Sequence, residues 1–359
     1  MNNKVVLGLS GGVDSSVAVL LLKQQGYEVV GVFMKNFSDT KNEFGECNWV
    51  DERKSAQKIA SILNIPFLTI DNENEYKSKV IKEMFSDYKR GLTPNPDILC
   101  NKVIKFPALL KKAKELGADF IATGHYARIK KTSKEFKLLT GKDKSKDQSY
   151  FLYELGQKEL SEIIFPVGEL TKSEVRKIAK KNKLPNWDKK GTSGVCFVGN
   201  IDFKGFLRNK VREKKGNVFS PEGKVIGTHP GAFFFTIGER VGEGKGILIE
   251  KDYRNKHHGK IYVAAKKANS LVVAPENHLL LKRKEVTIKN IHFISGKTIL
   301  GKFKARIRHL GKLHSGTLKK FSNKFKFVFN SGVEGIAEGQ HIVFYRGQEV
   351  VGGGEMRFK

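Results

Sequence analysis

Cysteine is scarce in this 359-residue sequence, which carries only Cys47, Cys100 and Cys196. An odd and sparse set argues against a disulfide framework. No two of the three have CxxC spacing, which argues against a zinc ribbon. Reactive thiols or small buried apolar groups are what such a set allows. Long apolar runs are also missing. The longest, from Val17 to Leu22, is ended by Lys23, well short of the roughly 18 residues that a membrane span needs. At the N-terminus, Lys4 and Val5-Val6-Leu7 reach Gly11-Gly12 too soon for a signal-peptide core. That stretch reads as a first strand, and the chain as a soluble cytoplasmic protein with no membrane partner. Internal repeats and low-complexity tracts are absent. Acidic residues are few, 37 against 66 basic, for a net charge of +29. An excess of this size attracts polyanions and bears on partners rather than fold. The basic residues occur in short clusters such as Lys111-Lys112, Lys214-Lys215 and Lys282-Arg283-Lys284. Any nucleic-acid surface must therefore be assembled by folding.

The length exceeds what one hydrophobic core serves efficiently, so about two or three domains are expected. The first 125 residues alternate strand and helix patterns. Val5 to Leu9, Glu28 to Met34, Ile65 to Ile70 and Asp119 to Gly124 read as strands. Val13 to Gln25, Asp51 to Leu63, Glu75 to Arg90 and Ile98 to Leu116 read as helices. This spacing predicts right-handed crossovers and a parallel sheet covered on both faces, with ligands at the carboxyl ends of its strands. Beyond about residue 205 the texture becomes glycine-rich with short β segments: Lys224 to Gly227, Phe233 to Ile237, Lys260 to Val263, Phe303 to Ile307, Lys324 to Phe329 and His341 to Tyr345. Such a pattern predicts small barrels or sandwiches. The expected division is 1–204, 205–279 and 280–359, with a join near Leu279 to Lys284.

The strongest local signal is the string from Leu7 to Ser16, directly after a strand and opening a helix. Its glycines let the backbone approach an anion, while successive N–H groups and the helix N-terminus hold phosphate oxygens. Ser10, Ser15 and Ser16 add hydroxyls. The GxxxxGK[ST] lysine is missing, so this is not the loop of γ-phosphate transfer. A plain Gly-rich turn with an Asp or Ser N-cap is the bland alternative. The string resembles the pyrophosphate loop of the adenylating ATP pyrophosphatases, which the resemblance implies split ATP between its α- and β-phosphates.

A second string, Gly91 to Asn101, carries two prolines that stiffen the approach to a helix and remove donors. Asn95, Asp97 and the first helix N–H groups are left to face a ligand. Cys100 near that N-terminus is a candidate reactive thiol. Asp97 is a candidate base, with an N-cap as its alternative role. Cys196 lies between glycines in Gly191 to Gly199, a setting suited to a mobile sulfur carrier or, alternatively, to a thiol buried between Val195 and Phe197.

Taken along the whole chain, these strings resemble the bacterial tRNA-specific 2-thiouridylases. Matching segments are Ser10 to Ser16, Gly31 to Asn36, Thr93 to Asn101 with Ile104-Lys105-Phe106, Gly117 to Arg128, Lys146 to Leu152, Gly194 to Phe197, Thr236 to Gly238 with Arg240, and Val351 to Gly354. The resemblance implies an α/β fold: a parallel-sheet, adenine nucleotide α-hydrolase-like ATP pyrophosphatase domain, then two small β-rich domains, the last a tRNA-binding β-barrel. It implies ATP contacts from Gly8, Leu9, Ser10, Gly11, Gly12, Val13, Asp14, Ser15, Met34 and Gly124, with Mg²⁺ accompanying the nucleotide and no metal site built from protein ligands alone. Asn95, Pro96 and Asp97 would surround the target base, and Lys146, Asp147, Gln148, Arg308 and His309 would touch tRNA. Cys196 would carry a persulfide and Cys100 would attack it, closing a disulfide. An iron–sulfur cluster held by Cys100, Cys196 and Asp97 is a further alternative. The implied activity is 2-thiolation of the wobble uridine in the anticodon stem-loop. A persulfide donor protein, such as a cysteine desulfurase or sulfur relay protein, would supply the sulfur. Other adenylating chemistry, or tRNA binding without catalysis, are the competing readings. This sequence departs from the family pattern at Gly191-Thr192 (usually Asp-Ser), at Glu239 (usually Gln) and at Arg308-His309 (usually Arg-Tyr).

Overall fold

The structure, a computed structural model, describes residues 3–38, 48–189, 205, 211–242 and 246–358. Cys47, Cys196 and the string 191–199 lie outside the described residues.

The N-terminal sheet contains β1 (Lys4–Gly8), β2 (Glu28–Lys35), β3 (Phe67–Asp71) and β4 (Phe120–Thr123). After a hairpin of β5 (Ala127–Lys131) and β6 (Phe136–Thr140), β7 (Ile163–Ile164) completes it. The order is β3-β2-β1-β4-β7 and every pairing is parallel. Alternation along the strands divides the apolar residues between two layers. Val5, Leu7, Val29 and Phe33 face α1 (Val13–Gln24) and α2 (Asn48–Ile62). Val6, Val30, Val32 and Ile121 face the opposite layer, which holds Phe106, Leu109 and Ala113. The helix α1 stops because Gly26, at φ +84°, turns the chain left-handed. Tyr27 N–H then reaches Leu22 O at 3.1 Å and Gly26 N–H reaches Lys23 O at 3.0 Å, closing the helix end as a Schellman motif.

Two longer helical stretches follow as expected, each interrupted by a wider turn. The first joins α3 (Glu73–Tyr76) to α4 (Lys82–Lys89) through Lys77–Ile81. The second joins α5 (Pro96–Cys100) to α6 (Phe106–Glu115) through Asn101–Lys105. Beyond these lie α7 (Gln157–Glu162) and α8 (Lys172–Lys181), whose Val175 and Ala179 pack into the α1 layer.

The central region is a six-stranded sheet of β8 (Gly216–Phe219), β9 (Val225–His229), β10 (Arg240–Val241), β11 (Leu248–Ile249), β12 (Ile261–Lys267) and β13 (Ser270–Pro275), in the order β10-β12-β13-β8-β9-β11. Its core takes in Met84 and Tyr88 of α4. The expected strand at Phe233 to Ile237 is instead a helical turn, Ala232–Phe234. Consecutive Phe234 and Phe235 are both buried there, which a strand packed on one face cannot do.

The C-terminal region closes into a six-stranded antiparallel barrel of β14 (Lys282–Phe293), β15 (Gly301–Arg306), β16 (His314–Phe321), β17 (Lys324–Glu334), β18 (His341–Arg346) and β19 (Glu349–Arg357), sealed by pairing of β14 with β19. It is not a separate sheet. The β5–β6 hairpin of the N-terminal region extends it, with Glu349 opposite Leu139 and Val350 opposite Leu138.

Burial of charge fixes the junction further. Asp147 has no exposed surface, and its Oδ1 accepts from the N–H groups of Gly141 and Ser149, each at 3.1 Å. Its Oδ2 accepts from Arg306 of β15 at 2.7 Å. Arg306 also lies over the ring of Tyr345, at 5.1 Å. Removing one member of a buried pair strands the other without solvent. Asp147→Ala is therefore expected to destabilise the protein by about 3–5 kcal/mol, measured by denaturant unfolding against the wild-type chain.

Candidate active site

The part of the candidate site where the nucleotide was expected forms where strand order reverses. The chain runs outward from β1 to β2 and β3, then returns to place β4 on the other side of β1. In open α/β sheets a reversal of this kind leaves a crevice at the carboxyl ends of the strands. Leu9 to Gly12 and the first turn of α1 line it. Gly12 is the helix N-cap and no side chain caps the helix, so the Asp or Ser cap considered as the bland alternative is not what the loop provides. The hydroxyls bond within the loop instead: Ser15 Oγ donates to Gly12 O at 3.0 Å, Ser16 Oγ to the same oxygen at 2.9 Å, and Ser10 N–H to Ser15 Oγ at 3.3 Å. Gly124 follows β4 and lies against the helix start. A Cβ placed there would stand 2.8 Å from Ser15 N and 2.9 Å from Asp14 C, so only glycine allows this approach. A Cβ on Gly8 would meet Leu109 at 3.3 Å and Met34 Cε at 3.7 Å, which puts Met34 beside the end of β1. The structure thus gathers Gly8 to Ser15, Met34 and Gly124 at one crevice.

Several residues given no role from sequence complete this wall. Lys172 Nζ donates to both carboxylate oxygens of Asp14, at 2.6 and 2.7 Å, and Tyr126 Oη donates to Asp14 Oδ1 at 2.7 Å. Burial, with Asp14 nearby, pushes the Tyr126 phenol well above its ordinary range. His125 is buried next to Gly124, with Nδ1 2.7 Å from Thr123 Oγ1 and Nε2 3.4 Å from Lys105 Nζ. Its pKa falls well below that of an ordinary imidazole because burial, and then Lys105, oppose the charge. The neutral ring therefore accepts from Lys105 at Nε2 and donates from Nδ1 to Thr123. The Thr171-Lys-Ser-Glu174 string could have marked Lys172 as the start of a capped helix. Nothing local announces its partner Asp14.

The second part of the candidate site, where the target base was expected, is built from the start of α5 and from the barrel. Thr93 N–H donates to Glu338 O at 2.8 Å, and Gln340 Nε2 donates to Thr93 O at 3.2 Å and Pro94 O at 3.1 Å. The stiff Thr93–Pro96 approach is thereby clamped to the barrel. Asn95 Oδ1 accepts from Ile98 N–H at 3.3 Å. Asn95, not Asp97, is the N-cap, so one expected ligand-facing group is already used within the helix. Asp97 is half-buried, and its charge acts on His309 of the barrel. The His309 ring packs on Phe151, with centroids 4.3 Å apart, and its Nε2 lies 2.8 Å from Asp147 O. Burial holds His309 below its ordinary pKa despite Asp147 and Asp97. Lys146 and Arg308 are exposed beside this shelf.

Two expectations are corrected here. The Asp147 carboxylate, expected to touch tRNA, is sealed inside the protein and ties the barrel to the α/β region. Gln148 Oε1 likewise accepts from Tyr126 N–H at 3.0 Å. The helix N-terminal setting expected to activate Cys100 is also not what the structure gives. Cys100 has no exposed surface and packs with Phe37, Tyr76, Val80 and Ile104. The helix continues past it, so it lies beyond the first turn, where the dipole acts most strongly. Its distance to Cys196 falls outside the described residues.

Residues 3–200 match the tRNA methyl transferase HUP domain family, 204–275 the tRNA methyl transferase PRC-barrel domain, and 283–356 the aminomethyltransferase beta-barrel domain. The tRNA-specific 2-thiouridylase MnmA 1 of Geobacillus kaustophilus (strain HTA426) is 42% identical over 354 residues, covering 95% of this chain and 92% of that protein. MnmA 2 of Aliarcobacter butzleri (strain RM4018) is 41% identical and covers 99% of both. MnmA of Bacillus subtilis (strain 168) is 39% identical, covering 98% of this chain and 94% of its own length. With similarity of this extent running through the loop, the α5 string and the barrel, the chain belongs to the tRNA-specific 2-thiouridylase (MnmA) family.

Proposed function

We propose that this protein replaces O2 of the wobble uridine of tRNA with sulfur, consuming ATP. What carries the reading is the full-length similarity to the 2-thiouridylases, joined to the placement of the anion-binding loop and the Asn95–Cys100 string in one chain. Uridine O2 is a poor leaving group. Its attack on the α-phosphorus of ATP releases pyrophosphate and leaves O2 esterified to AMP. Loop amides from Ser10 to Asp14 and the N-terminus of α1 stabilise the departing charge. Mg²⁺ fits this donor set as an ion held chiefly by the phosphates, since Asp14 is the loop's one carboxylate and the described residues contain no group of three acidic, His or Cys ligands. When bound, it would neutralise pyrophosphate charge.

Sulfur then displaces AMP. In one route Cys100 thiolate attacks Cys196 Sγ of the persulfide, hydrosulfide leaves, and a Cys100–Cys196 disulfide forms. Hydrosulfide adds to C2 and expels AMP. In the other, the terminal persulfide sulfur attacks C2 directly and Cys100 afterwards resolves the adduct. Both require a thiol donor of two electrons to reset the pair. Asp97, beside the target base, is placed to accept the N3 proton as O2 becomes the nucleophile. The anticodon base must leave its stack to enter the crevice, and the Phe151–His309 shelf offers aromatic faces at its edge. The sulfur comes from a persulfide-bearing donor protein.

Four measurements test this reading. Nucleoside mass spectrometry after incubation with tRNA, ATP, a persulfide-bearing sulfur donor and a thiol reductant should detect 2-thiouridine. Cys196→Ser should abolish the product while tRNA-dependent pyrophosphate release continues. A fully active Cys196→Ser enzyme removes the sulfur-carrier role. Peptide-resolved alkylation should find Cys100 slow to react in the protein alone and faster once tRNA and ATP are present, because its side chain is sealed. Raising salt from about 50 to 200 mM should weaken tRNA binding by several orders of magnitude if six or more phosphates are contacted, as a filter-binding titration would show.

A further inference from the structure

The carbonyl oxygen of Gly11 accepts two side-chain hydrogen bonds from distant segments: Ser55 Oγ of α2 at 3.2 Å and Asn186 Nδ2 at 3.0 Å. Asn186 is 5% exposed, and the same nitrogen lies 2.9 Å from Ser16 Oγ. Ser16 Oγ gives its own proton to Gly12 O, so it accepts from the amide. Both Asn186 N–H bonds are therefore directed into the loop. The orientation follows from the network: a reversed amide would set Oδ1 against the Gly11 carbonyl. Asn186 Oδ1 is buried with no partner. The protein thus tolerates the desolvation of one oxygen in order to keep the two donors inward.

The consequence lies across the peptide plane. In a trans peptide the carbonyl of Gly11 and the N–H of Gly12 point in opposite directions. Holding the oxygen toward Ser55 and Asn186 turns Gly12 N–H toward the open side of the loop, where it meets exposed Ser10 Oγ at 3.4 Å. Gly11 sits at φ +73°, and a Cβ there would be 2.7 Å from Glu52 O and 2.9 Å from Ala56 N. Gly11 is pressed against α2 with no side chain of its own, so the orientation of this peptide is set by the two outside donors on its oxygen and by Ser10 Oγ, which accepts from Gly12 N–H. Were the peptide to flip, a carbonyl oxygen would face the polyphosphate. We infer that Asn186, with Ser55 as a second donor, is a positioning residue that fixes the Gly11–Gly12 peptide with Gly12 N–H presented to the phosphates of ATP. Asn186 precedes Cys196 by ten residues, so the segment leading toward the sulfur carrier is hydrogen-bonded to the nucleotide loop.

This inference rests on the loop's being the ATP site, and the experiment separates the two. The full-length chain is assayed for tRNA-dependent pyrophosphate release, with KM for Mg·ATP, KM for tRNA and kcat each determined. Asn186→Leu keeps the volume and removes the donors. It should raise the ATP KM by about five-fold, the order expected for a lost hydrogen bond, with tRNA KM and kcat nearly unchanged. Asn186→Asp, which sets a carboxylate against the carbonyl, should raise it further. Ser55→Ala alone should have a smaller effect, and the double variant should exceed the product of the singles, because both donors serve one oxygen. An ATP KM within about two-fold of wild type in Asn186→Leu overturns the inference, as does a parallel rise in both KM values with a lowered melting temperature, which marks general loosening. If the leucine variant does not fold, Asn186→Ser combined with Ser55→Ala is held to the same two outcomes. A wild-type chain that releases no pyrophosphate from ATP defeats the nucleotide reading itself.

Discussion

The Asp147 carboxylate is buried between two regions of the chain and is held by two backbone amides from its own side and by Arg306 from the barrel. Charge in such a place is stable only while its partners stay put, because neither member can turn to water. The barrel therefore cannot swing on the α/β region as a tethered binding module would. Its orientation is further set by the β5–β6 hairpin, which continues the barrel sheet at Glu349 and Val350, and by the Gln340 amide on the Thr93–Pro94 carbonyls. Rigid attachment matters because the base side of the crevice is shared. Asp97 comes from α5, Phe151 from the segment after Asp147, and His309 from the barrel, so an error of an ångström in docking would open the shelf.

The electrostatics fit the same division of labour. Many of the ion pairs in the described residues are surface contacts, such as Lys54 with Asp51 and Lys79 with Glu75, each worth little in water. Pairing leaves the net charge of +29 unchanged, an excess that attracts polyanions. Inside the crevice the pattern differs. Lys172 is committed to Asp14, and the His125 ring is kept neutral beside Lys105. Exposed lysines would supply long-range attraction in the proposed function, while the interior charges are paired within the protein.

What the sequence revealed follows from how local each signal is. The loop from Leu7 to Ser16 was legible because glycine spacing between a strand and a helix is a backbone property needing no knowledge of the rest. The alternation of Val5 to Leu9 with Val13 to Gln25 located the parallel sheet for the same reason. The hairpin at 127–140 escaped notice, since its second strand finds a neighbour at Val350, over 200 residues later. Asp147 was expected at the tRNA because the Lys146-Asp147-Gln148 string resembles the family's. Only the tertiary partner Arg306 turns it inward. Phe233 to Ile237 looked like a strand on propensity, but consecutive buried phenylalanines under α4 needed a turn. Lys172, Tyr126 and Asn186 act through Asp14 and Gly11, and no pattern in their own neighbourhoods names those targets.

The burial of Cys100 bears on the order of the proposed chemistry. A thiol packed beneath Phe37 and Tyr76 is shielded from oxidants and from stray disulfides, because both reactions need access to a thiolate. An exposed Cys100 would instead meet any persulfide on Cys196 before a base was activated, lose the sulfur as hydrosulfide to solvent and leave an idle disulfide. In the proposed scheme, an attacking thiol that stays sealed until nucleotide and tRNA are in place would make sulfur release depend on the presence of its acceptor. Phe37 follows β2, whose Met34 lines the nucleotide crevice, and Cys100 follows Asp97 on α5, which faces the base side. The cover over the thiol and the thiol itself are therefore each only a few residues from a surface that substrate would press. Displacement at either surface reaches the Phe37–Tyr76–Cys100 cluster through a short stretch of backbone, with no need for a long-range relay.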